Sequence, residues 1–279
     1  MNDYFAIQAL NWSTLKHMHE SPMRCRHRQQ HPRPDTDSLI VGRALHCRVL
    51  EPESFGARYA VCDVRRDART KVYQEWLAAH SGMDALTVAE ADMVEAMARA
   101  VEEHPVAAGL VKGGRFEATI RWDIEGLPCK ARLDYLVSAG AGVVDLKSVE
   151  TSRFAPRRFA SEAAGRLYHG QLAWYYDGAV AAGVLPVTAC FPWLVAVEKA
   201  PRGESRYWHD VAVYQLTTED YDAGRALWRD LFARYRECVA SGWWPGVAPA
   251  PLELKLPAWA PGMGGAEPAP ILFDAEEAA

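Results

Sequence analysis

An acidic and a basic residue stand one position apart in the segment VVDLKSVE, residues 143–150. The β-branched residues before Asp145 predict a short buried strand over 143–147. Because successive side chains of a strand point to opposite faces, Asp145 and Lys147 share one face. Such a pair is typical either of an isolated ion pair or of a metal site.

A second carboxylate, Asp134, lies on the polar face of the preceding predicted strand, PCKARLDYLV. If the two strands are neighbours, two carboxylates and an ammonium group meet at one point. Hard cations such as Mg²⁺ prefer oxygen ligands. Two metal ions bound ~4 Å apart stabilise the attacking and leaving oxygens of a phosphodiester during its hydrolysis. The carbonyl of Leu146 is a further candidate ligand, and Lys147 is a candidate to orient the attacking water.

Two helices add residues at the spacing that places side chains on one face. Gly42 and His46 are four residues apart, so we expect the glycine to permit close approach and the imidazole to reach a metal. Gln171 and Tyr175 are also four apart, and their amide and phenol are expected to contact the phosphate and the lysine. The predicted site thus consists of His46, Asp134, Asp145, Lys147, Gln171 and Tyr175, with the Leu146 carbonyl as a further candidate ligand.

The elements that must position this site follow from periodicity and capping residues. Helices are predicted from the caps Ser13 and Ser21, over 38–50, 70–80, 89–103, 155–164 and 166–182, and from Thr217–Thr218 to about Cys238. Strands are predicted at YAVCDV, at RFEATIRWD and PCKARLDYLV as a hairpin joined at Glu125–Gly126, at 143–147, and near 187–199 and 206–215. In the first hairpin strand Phe116, Ala118, Ile120 and Trp122 are expected to form the apolar face. This order predicts an α/β domain with a central mixed sheet flanked by helices.

Composition sets the class of protein. The chain has 279 residues, of which 49% are hydrophobic and 24% charged, so it is long enough to bury a full core. No stretch approaches the ~20 apolar residues of a membrane span, and the N-terminus lacks the pattern of a secretory signal, so a cytoplasmic location without membrane contact is predicted. The six cysteines contain no CxxC pair, which favours buried free thiols.

The net charge of −5 argues against indiscriminate coating of nucleic acid, but two segments are locally basic. Their arginines are candidates for DNA phosphate contacts: Arg24, Arg26 and Arg28 in the first segment, and Arg153, Arg157 and Arg158 in the second. A solvated helix face explains such runs equally simply.

Four motifs occur in one order along the chain: GRALH, RLDYL, VVDLKS and GQLAWY. They resemble the G-x-x-x-H, D, D-x-K and Q-x-x-x-Y signature of RecB-like nucleases in the PD-(D/E)XK superfamily. The chain is most similar to the nuclease domain of the exodeoxyribonuclease VIII (RecE) type, whose Ser-x-Leu-Lys helix and Leu-Glu-Pro-x-x-Phe segment correspond to STLKHMHESP and LEPESF. The resemblance runs from about Asn11 to GWWPG near 242–246.

This resemblance implies a restriction-endonuclease-like core in which His46, Asp134 and Asp145 bind metal and Lys147 is catalytic, with Gln171 and Tyr175 completing the site. It implies a Mg²⁺-dependent exonuclease, with Mn²⁺ as the expected substitute, that digests the 5′-ended strand of linear duplex DNA. The 3′ overhang would pass to a single-strand annealing partner in phage-like recombination, and a homo-oligomeric ring, a trimer or tetramer, would give processivity. We expect one domain over 1–246, with N-terminal helices over 11–52 and a catalytic core over 114–182, and a poorly ordered tail over 247–279.

Several alternatives remain open at the level of sequence. Glu117 is either a further carboxylate of the cleft or an exposed strand acid. The segment HMHESPMRCRHRQQH carries zinc-capable ligands (His17, His19, Cys25, His27 and His31), although their spacing on a helix does not converge. Cys47, next to His46, could be a thiol nucleophile. The protein could also be a nuclease of other polarity or an endonuclease, a non-catalytic module that binds DNA ends, or a module that docks a partner through the tail ILFDAEEAA.

Overall fold

The computed structural model describes residues 4–31, 36–137, 142–199, 208–248, 250–257 and 260. Its helices are α1 Trp12–Leu15, α2 Pro22–Gln30, α3 Asp37–Leu50, α4 Pro52–Arg58, α5 Lys71–Ala79, α6 Val88–Glu103, α7 Ala107–Leu110, α8 Thr151–Phe154, α9 Pro156–Gly165, α10 Tyr168–Ala181 and α11 Thr218–Ser241, with a 3₁₀ turn at Lys16–His19. Its strands are β1 Tyr59–Cys62, β2 Asp84–Thr87, β3 Arg115–Ile124, β4 Leu127–Leu136, β5 Val143–Glu150, β6 Trp193–Lys199 and β7 Val211–Gln215. The predicted α/β class with a central mixed sheet is confirmed.

Five strands form the main sheet in the order β3-β4-β5-β6-β7. The pairs β3–β4, β4–β5 and β6–β7 are antiparallel, whereas β5 and β6 are parallel. A parallel pair needs a crossover connection, and helices α8 to α10 supply it. Strand β5, which carries Asp145 and Lys147, is therefore the central strand of the sheet.

The hairpin β3–β4 turns at the predicted residues. Glu125 and Gly126 have φ values of 51° and 82°, and two consecutive positive φ values match the two-residue turn that fits the twist of a hairpin. Asp123 Oδ1 accepts a hydrogen bond from the Gly126 N–H at 2.7 Å. The turn fixes the register of β3 against β4, and thereby which residues face each other further along the hairpin.

Helices cover both faces of the sheet, as the continuous apolar run of β6 requires. Alternate residues of β6 belong to different apolar clusters: Val195 and Val197 pack with Leu45 of α3 and Met97 of α6, whereas Leu194 and Ala196 pack with Phe159 of α9 and Leu172 of α10. A third cluster joins β4 to α10 and α11 through Leu133, Trp174 and Leu231. The sheet is thus held rigidly between helices that also carry predicted site residues.

Some predicted boundaries are wrong for local reasons. The first helix is capped by Asn11, whose Oδ1 accepts from the Thr14 N–H at 2.9 Å and from the Ser13 hydroxyl at 2.8 Å. The strand predicted over 187–199 is confined to Trp193–Lys199, because Pro186 and Pro192 cannot donate to a strand ladder. The strand predicted over 206–215 covers Val211–Gln215, and residues 206–207 lie outside the described ranges.

Other elements were not predicted at all. Strand β2 pairs in parallel with β1 to form a separate two-stranded sheet. Helix α3 ends before Pro52 as expected, but the chain at once begins α4 with Pro52 in its first turn, a position where a missing N–H costs nothing. The short helix α7 was also missed. Parallel pairing between distant segments leaves no local signal in the sequence.

The predicted apolar face of β3 is wrong at Phe116. Ile120 is buried, but the Phe116 side chain is 47% exposed. Glu117, the next residue, has a φ of 47°, which is left-handed geometry within a strand and interrupts the alternation of faces.

The prediction of buried free thiols is confirmed for five of the six cysteines. Cys25, Cys47, Cys62, Cys129 and Cys238 are free and buried, whereas Cys190 is free and exposed. None of the helices in the described ranges combines the length and hydrophobicity needed to cross a bilayer. The division into a domain over 1–246 and a tail over 247–279 stays a prediction, and most of that tail, including ILFDAEEAA, lies outside the described residues.

Candidate metal centre

Pairing of β4 with β5 brings the two predicted carboxylates together. Tyr135 is opposite Val144 in this antiparallel pair, so the same register places Asp134 opposite Asp145. The Leu146 N–H donates a hydrogen bond to Asp134 Oδ2 at 2.9 Å. The structure thus shows a role for the amide of Leu146, while the role of its carbonyl as a ligand stays a prediction.

Asp145 and Lys147 share one face of β5, as strand alternation predicts. Lys147 Nζ lies 2.5 Å from Asp145 Oδ2 and 5.1 Å from the centroid of the Tyr168 ring. Asp145 is 1% exposed, and its Oδ2 has no hydrogen-bond partner of acceptable geometry despite the short contact with the ammonium group. A buried carboxylate oxygen with unused acceptor capacity is unusual and requires an explanation.

Helix α3 brings His46 to the same place. His46 Nδ1 is 3.5 Å from Asp134 Oδ1, and both side chains are largely buried. The expected role of Gly42 is not required by the structure: a Cβ at this position would lie 3.7 Å from Ser148 Oγ, an ordinary contact. The imidazole therefore reaches Asp134 through the position of the helix, which packs on β5, and not through a backbone contact at the glycine.

Helix α10 contributes the predicted amide and phenol. The Gln171 amide donates to Tyr175 Oη at 2.8 Å and to Asp145 Oδ1 at 3.4 Å. The expected contact of this pair with the lysine is replaced by a contact of Gln171 with the carboxylate beside it. We call His46, Asp134, Asp145 and Lys147, with Gln171 and Tyr175, the carboxylate cluster.

Glu117 is the residue that the sequence left undecided. The register of β3 against β4 pairs Phe116 with Tyr135 and Ala118 with Leu133, so Glu117 is opposite Asp134. His46, Glu117 and Asp134 each offer a ligand atom, and these atoms lie within 4.8 Å of one another. Glu117 Oε2 is also 2.7 Å from Arg132 Nε. The signal that could have identified Glu117 is its place opposite Asp134 in the predicted hairpin.

The two carboxyl groups of the cluster differ in acidity. For Asp145, burial raises the pKa to about 6, with Lys147 acting in the opposite direction. For Asp134, burial also acts to raise the pKa, but the neighbouring His46, Lys147 and the Leu146 N–H together lower it to about 2. Asp134 is thus ionised at every ordinary pH. Ionisation of Asp145 is less favourable, because it places a second buried negative charge beside Asp134.

The two aspartates raise the pKa values of the basic members of the cluster. Burial acts to lower the pKa of Lys147, but the charges of Asp145 and Asp134 raise it overall. Burial likewise acts to lower the pKa of His46, and Asp134 raises it overall. Burial, followed by Asp145 and Asp134, raises the pKa of the Tyr175 phenol, which therefore stays protonated.

The donor set fits a hard divalent cation. Carboxylate oxygens and an imidazole nitrogen converge, and the Asp145 Oδ2 atom lacks an aligned hydrogen-bond donor. Ligands at ~2.1 Å on opposite sides of one small ion are roughly 4.2 Å apart, so small side-chain movements bring His46, Glu117 and Asp134 to a common ion. These residues could hold a divalent metal.

Two grooves flank the cluster. The basic groove, of about 310 Å³, is lined by His46 together with Arg43, Arg166, Tyr168 and Lys199. The aromatic groove, of about 1240 Å³, is lined by Glu117 and Arg132 together with Tyr4, Phe5 and Phe116. Arg43 lines both grooves.

The predicted DNA-contacting arginines are not all near this path. Arg153 pairs with Glu162, which lines the basic groove, and the Arg158 guanidinium donates to the Ser152 carbonyl at 3.1 Å. Arg157 is exposed at the start of α9.

Two of the three arginines of α2 contact residues outside the cluster. Arg24 pairs with Glu20, and Arg26 stacks on Trp244 beyond the end of α11. Arg28 has a buried Nε atom without a hydrogen-bond partner among the described residues. The structure therefore brings the second basic segment, and not the first, to the border of the cluster.

Two competing sites find little support. Burial raises the pKa of the Cys47 thiol, and its Sγ lies 3.7 Å from the Glu51 carbonyl, an environment that suppresses the thiolate a nucleophile needs. Of the zinc-capable residues near the N-terminus, His27 and His31 stack at 4.5 Å between ring centroids. In the described ranges these residues do not form a group with metal-ligand spacing.

Comparison with known proteins agrees with this geometry. Residues 11–249 match the family described as a PDDEXK-like domain of unknown function (DUF3799), and no curated protein matches the chain. A solved structure named "putative exonuclease", from Eubacterium rectale, is similar with a TM-score of 0.58 and 13% identity, over 92% of this chain and 95% of that chain. The match to a phage related exonuclease from Haemophilus somnus 129PT covers 86% of this chain and 98% of that chain at 12% identity, with a TM-score of 0.36, too low to show a common fold.

The family match spans most of the chain, and at 13% identity the likeness to the Eubacterium rectale protein shows the fold alone. The match includes every residue of the carboxylate cluster. The chain therefore belongs to the PDDEXK-like DUF3799 family and has the PD-(D/E)XK fold.

Proposed function

We propose that this protein is a divalent-metal-dependent DNA nuclease, and specifically an exonuclease that degrades linear duplex DNA. The observation that carries the proposal is the convergence of Asp134, Asp145, Lys147 and His46 at one buried point of a PDDEXK-like fold. A solved protein of similar fold, from Eubacterium rectale, is named as a putative exonuclease. We further propose that Mg²⁺ is the physiological ion and that Mn²⁺ substitutes for it, because the donors are mainly oxygen atoms.

The residues of the cluster would have different roles in phosphodiester hydrolysis. A bound divalent ion would polarise the scissile phosphate and lower the pKa of water. Asp134, Asp145 and His46 would hold it. Lys147, charged because its pKa is raised, would donate to the attacking water or to the phosphate oxygens and disperse developing negative charge. It would not act as a base.

Gln171 and Tyr175 support this arrangement from α10. The Gln171 amide donates to Asp145 Oδ1 and so fixes the orientation of the carboxylate that contacts Lys147. Tyr175, protonated and bonded to the same amide, closes the apolar side of the cluster. We propose that these two residues position Asp145 and do not touch the reacting phosphate directly.

The RecE-type resemblance extends the proposal to polarity and partners. It favours removal of the 5′-ended strand, release of a 3′ overhang to a single-strand annealing protein, and assembly of a homo-oligomeric ring. Analytical ultracentrifugation of the full chain would measure the oligomer. A monomer at micromolar concentration would remove the ring from the proposal without affecting the chemistry.

A single assay tests activity and polarity together. Linear duplexes labelled at either the 5′ or the 3′ end, and a covalently closed circle, are incubated with the full chain in Mg²⁺ or EDTA. We expect Mg²⁺-dependent loss of linear DNA only, with the 5′ label released first. Lys147→Ala should remove this activity, whereas Lys71→Ala, a change at an exposed lysine of α5, should not.

The other outcomes select the alternatives. Cleavage of the closed circle would identify an endonuclease, and early release of the 3′ label would reverse the polarity. Binding of DNA in EDTA without release of nucleotides in Mg²⁺ would identify a non-catalytic module that binds DNA ends, and would overturn the proposed function.

A further inference from the structure

Two arginine–carboxylate pairs lie in the aromatic groove. Glu117 on β3 pairs with Arg132 on β4 at 2.7 Å, and Asp84 on β2 pairs with Arg43 on α3 at 3.1 Å. Both pairs are partly exposed: the side chains of Glu117 and Arg132 are 26% and 36% exposed, and those of Asp84 and Arg43 are both 39% exposed. The two pairs are therefore alike in type and in access to solvent.

They differ in their surroundings. The Glu117 carboxylate lies within ligand spacing of His46 and Asp134, whereas Asp84 belongs to no such group in the described ranges. Beside Asp134, the fully buried Asp145 presents Oδ2 without an aligned hydrogen-bond donor. Lys147 Nζ contacts this oxygen at 2.5 Å, so each of the three carboxylates has a basic partner: Lys147 for Asp145, His46 for Asp134 and Arg132 for Glu117.

From this difference we infer that Glu117 is a further protein ligand of the divalent ion, and that Arg132 occupies the Glu117 carboxylate until the ion replaces it. The inference rests on the proposed metal-dependent function and extends it to a residue outside the D-x-K signature. Three carboxylates and one imidazole would then face the ion, and the released Arg132 would face the groove.

Separation of Arg132 from Glu117 requires little free energy. An ion pair between partly exposed groups contributes little free energy, because water solvates both partners when they separate. The Arg132 guanidinium also lies 5.4 Å from the Tyr4 ring centroid and 5.5 Å from that of Phe5, so these rings hold it after it leaves the carboxylate. In that position Arg132 lines the aromatic groove, where its guanidinium could contact a phosphate of DNA bound at the cluster.

Opposite effects on ion binding are expected from the two members of the pair. Removing the Glu117 charge takes away a ligand, whereas removing Arg132 takes away the cation that competes with the metal. Isothermal titration of Mn²⁺ into the full chain, without DNA, measures both. Glu117→Gln should raise the Kd for Mn²⁺ about tenfold, and Arg132→Gln should lower it about threefold.

The second pair supplies the matched controls. Asp84→Asn and Arg43→Gln remove the same charges from the same groove, so a general electrostatic effect would change Mn²⁺ affinity equally in both pairs. We expect each control to stay within about twofold of the unchanged protein. In the double variant Glu117→Gln with Arg132→Gln, the gain from Arg132→Gln should disappear, because it acts through Glu117.

The outcomes separate this inference from the proposed function. If the unchanged protein binds Mn²⁺ and degrades DNA but Glu117→Gln binds Mn²⁺ as Asp84→Asn does, the inference on Glu117 fails and the nuclease proposal stands. If the unchanged protein binds no Mn²⁺, both fail. Circular dichroism of each variant excludes unfolding as the cause of weaker binding.

Discussion

Helix α10 borders two carboxylate sites, the buried Asp145 and the partly buried Asp177, which differ in how their oxygens are hydrogen-bonded. On one face, Gln171 contacts Asp145 within the carboxylate cluster. On another face, Asp177 accepts hydrogen bonds from Tyr221 Oη at 2.5 Å and Trp228 Nε1 at 3.0 Å. Arg225 Nε lies 3.1 Å from the same carboxylate. The Asp177 site thus joins α10 to α11 with a donor for each oxygen.

The carboxylate cluster is arranged differently. Asp145 lies beside another acid, Asp134, and Lys147, 2.5 Å from one Asp145 oxygen, is not aligned as a hydrogen-bond donor to it. Glu117 adds a third negative group on the far side of Asp134. A buried acid that is closed by donors serves the structure, whereas buried acids that face each other are retained only where a cation or a reaction uses them. The predictions below test that distinction.

The largest effect is expected from Asp145→Asn. The substitution keeps the shape of the side chain but removes a charge that the proposed chemistry needs, so hydrolysis of linear DNA should fall by about 10³-fold or more. The melting temperature should change little, because loss of the ion pair with the buried Lys147 is offset by relief of the repulsion between Asp145 and Asp134. Single-turnover assays and thermal melts measure the two effects. Retention of more than a tenth of the activity would contradict the proposed role.

The same change of charge at Asp177 should affect stability instead. Asp177→Ala leaves the buried donors of Tyr221 and Trp228 unpaired, so the free energy of unfolding should fall by about 3 kcal/mol. Urea unfolding measures this loss. Below the unfolding transition, the rate per folded molecule should remain within about twofold of the unchanged protein. A variant that is stable but inactive would show that the two sites are not separate.

The free energy of unfolding of the metal-free protein should depend on pH, because ionisation of the buried Asp145 is unfavourable. Its pKa is raised to about 6, so the folded state binds a proton that the unfolded chain has already released above pH ~4. In EDTA, stability should therefore fall as the pH rises from about 4 to about 6, by on the order of 2 kcal/mol. Asp145→Asn should abolish this fall, and excess Mn²⁺ should reverse it. Urea unfolding across this pH range decides the question, and an equal slope in the variant would assign the fall to other groups.

The smallest effect concerns the backbone of β3. Glu117 has a φ of 47°, and left-handed geometry costs a residue with a Cβ about 1–2 kcal/mol. Glycine normally destabilises a strand relative to alanine, but here Glu117→Gly should be more stable than Glu117→Ala by about 1 kcal/mol. Both variants lack the carboxylate, so the comparison isolates the backbone. A less stable glycine variant would show that this strand is not strained at Glu117.

Much of the fold follows from local patterns. Alternation predicted the hairpin and its turn at Glu125–Gly126, and helical spacing predicted α3, α6, α10 and α11 to within a few residues. The pattern failed where backbone geometry departs from the regular form, as at Glu117, and where two distant segments pair in parallel, as β1 and β2 do. Such pairing depends on contacts that no window of neighbouring residues contains.

The candidate site, like the fold, was predictable from the sequence only in part. The sequence by itself determined which residues can do chemistry: Asp145 and Lys147 share a strand face, and Gln171 and Tyr175 share a helix face, because these relations depend only on the pitch of one element. Only the tertiary structure decided that Glu117 lies opposite Asp134, that Arg24 and Arg26 of α2 contact Glu20 and Trp244, and that burial raises the pKa of Asp145. Those properties arise from the register between strands and from burial by other elements, and both are set by contacts between residues far apart in the chain.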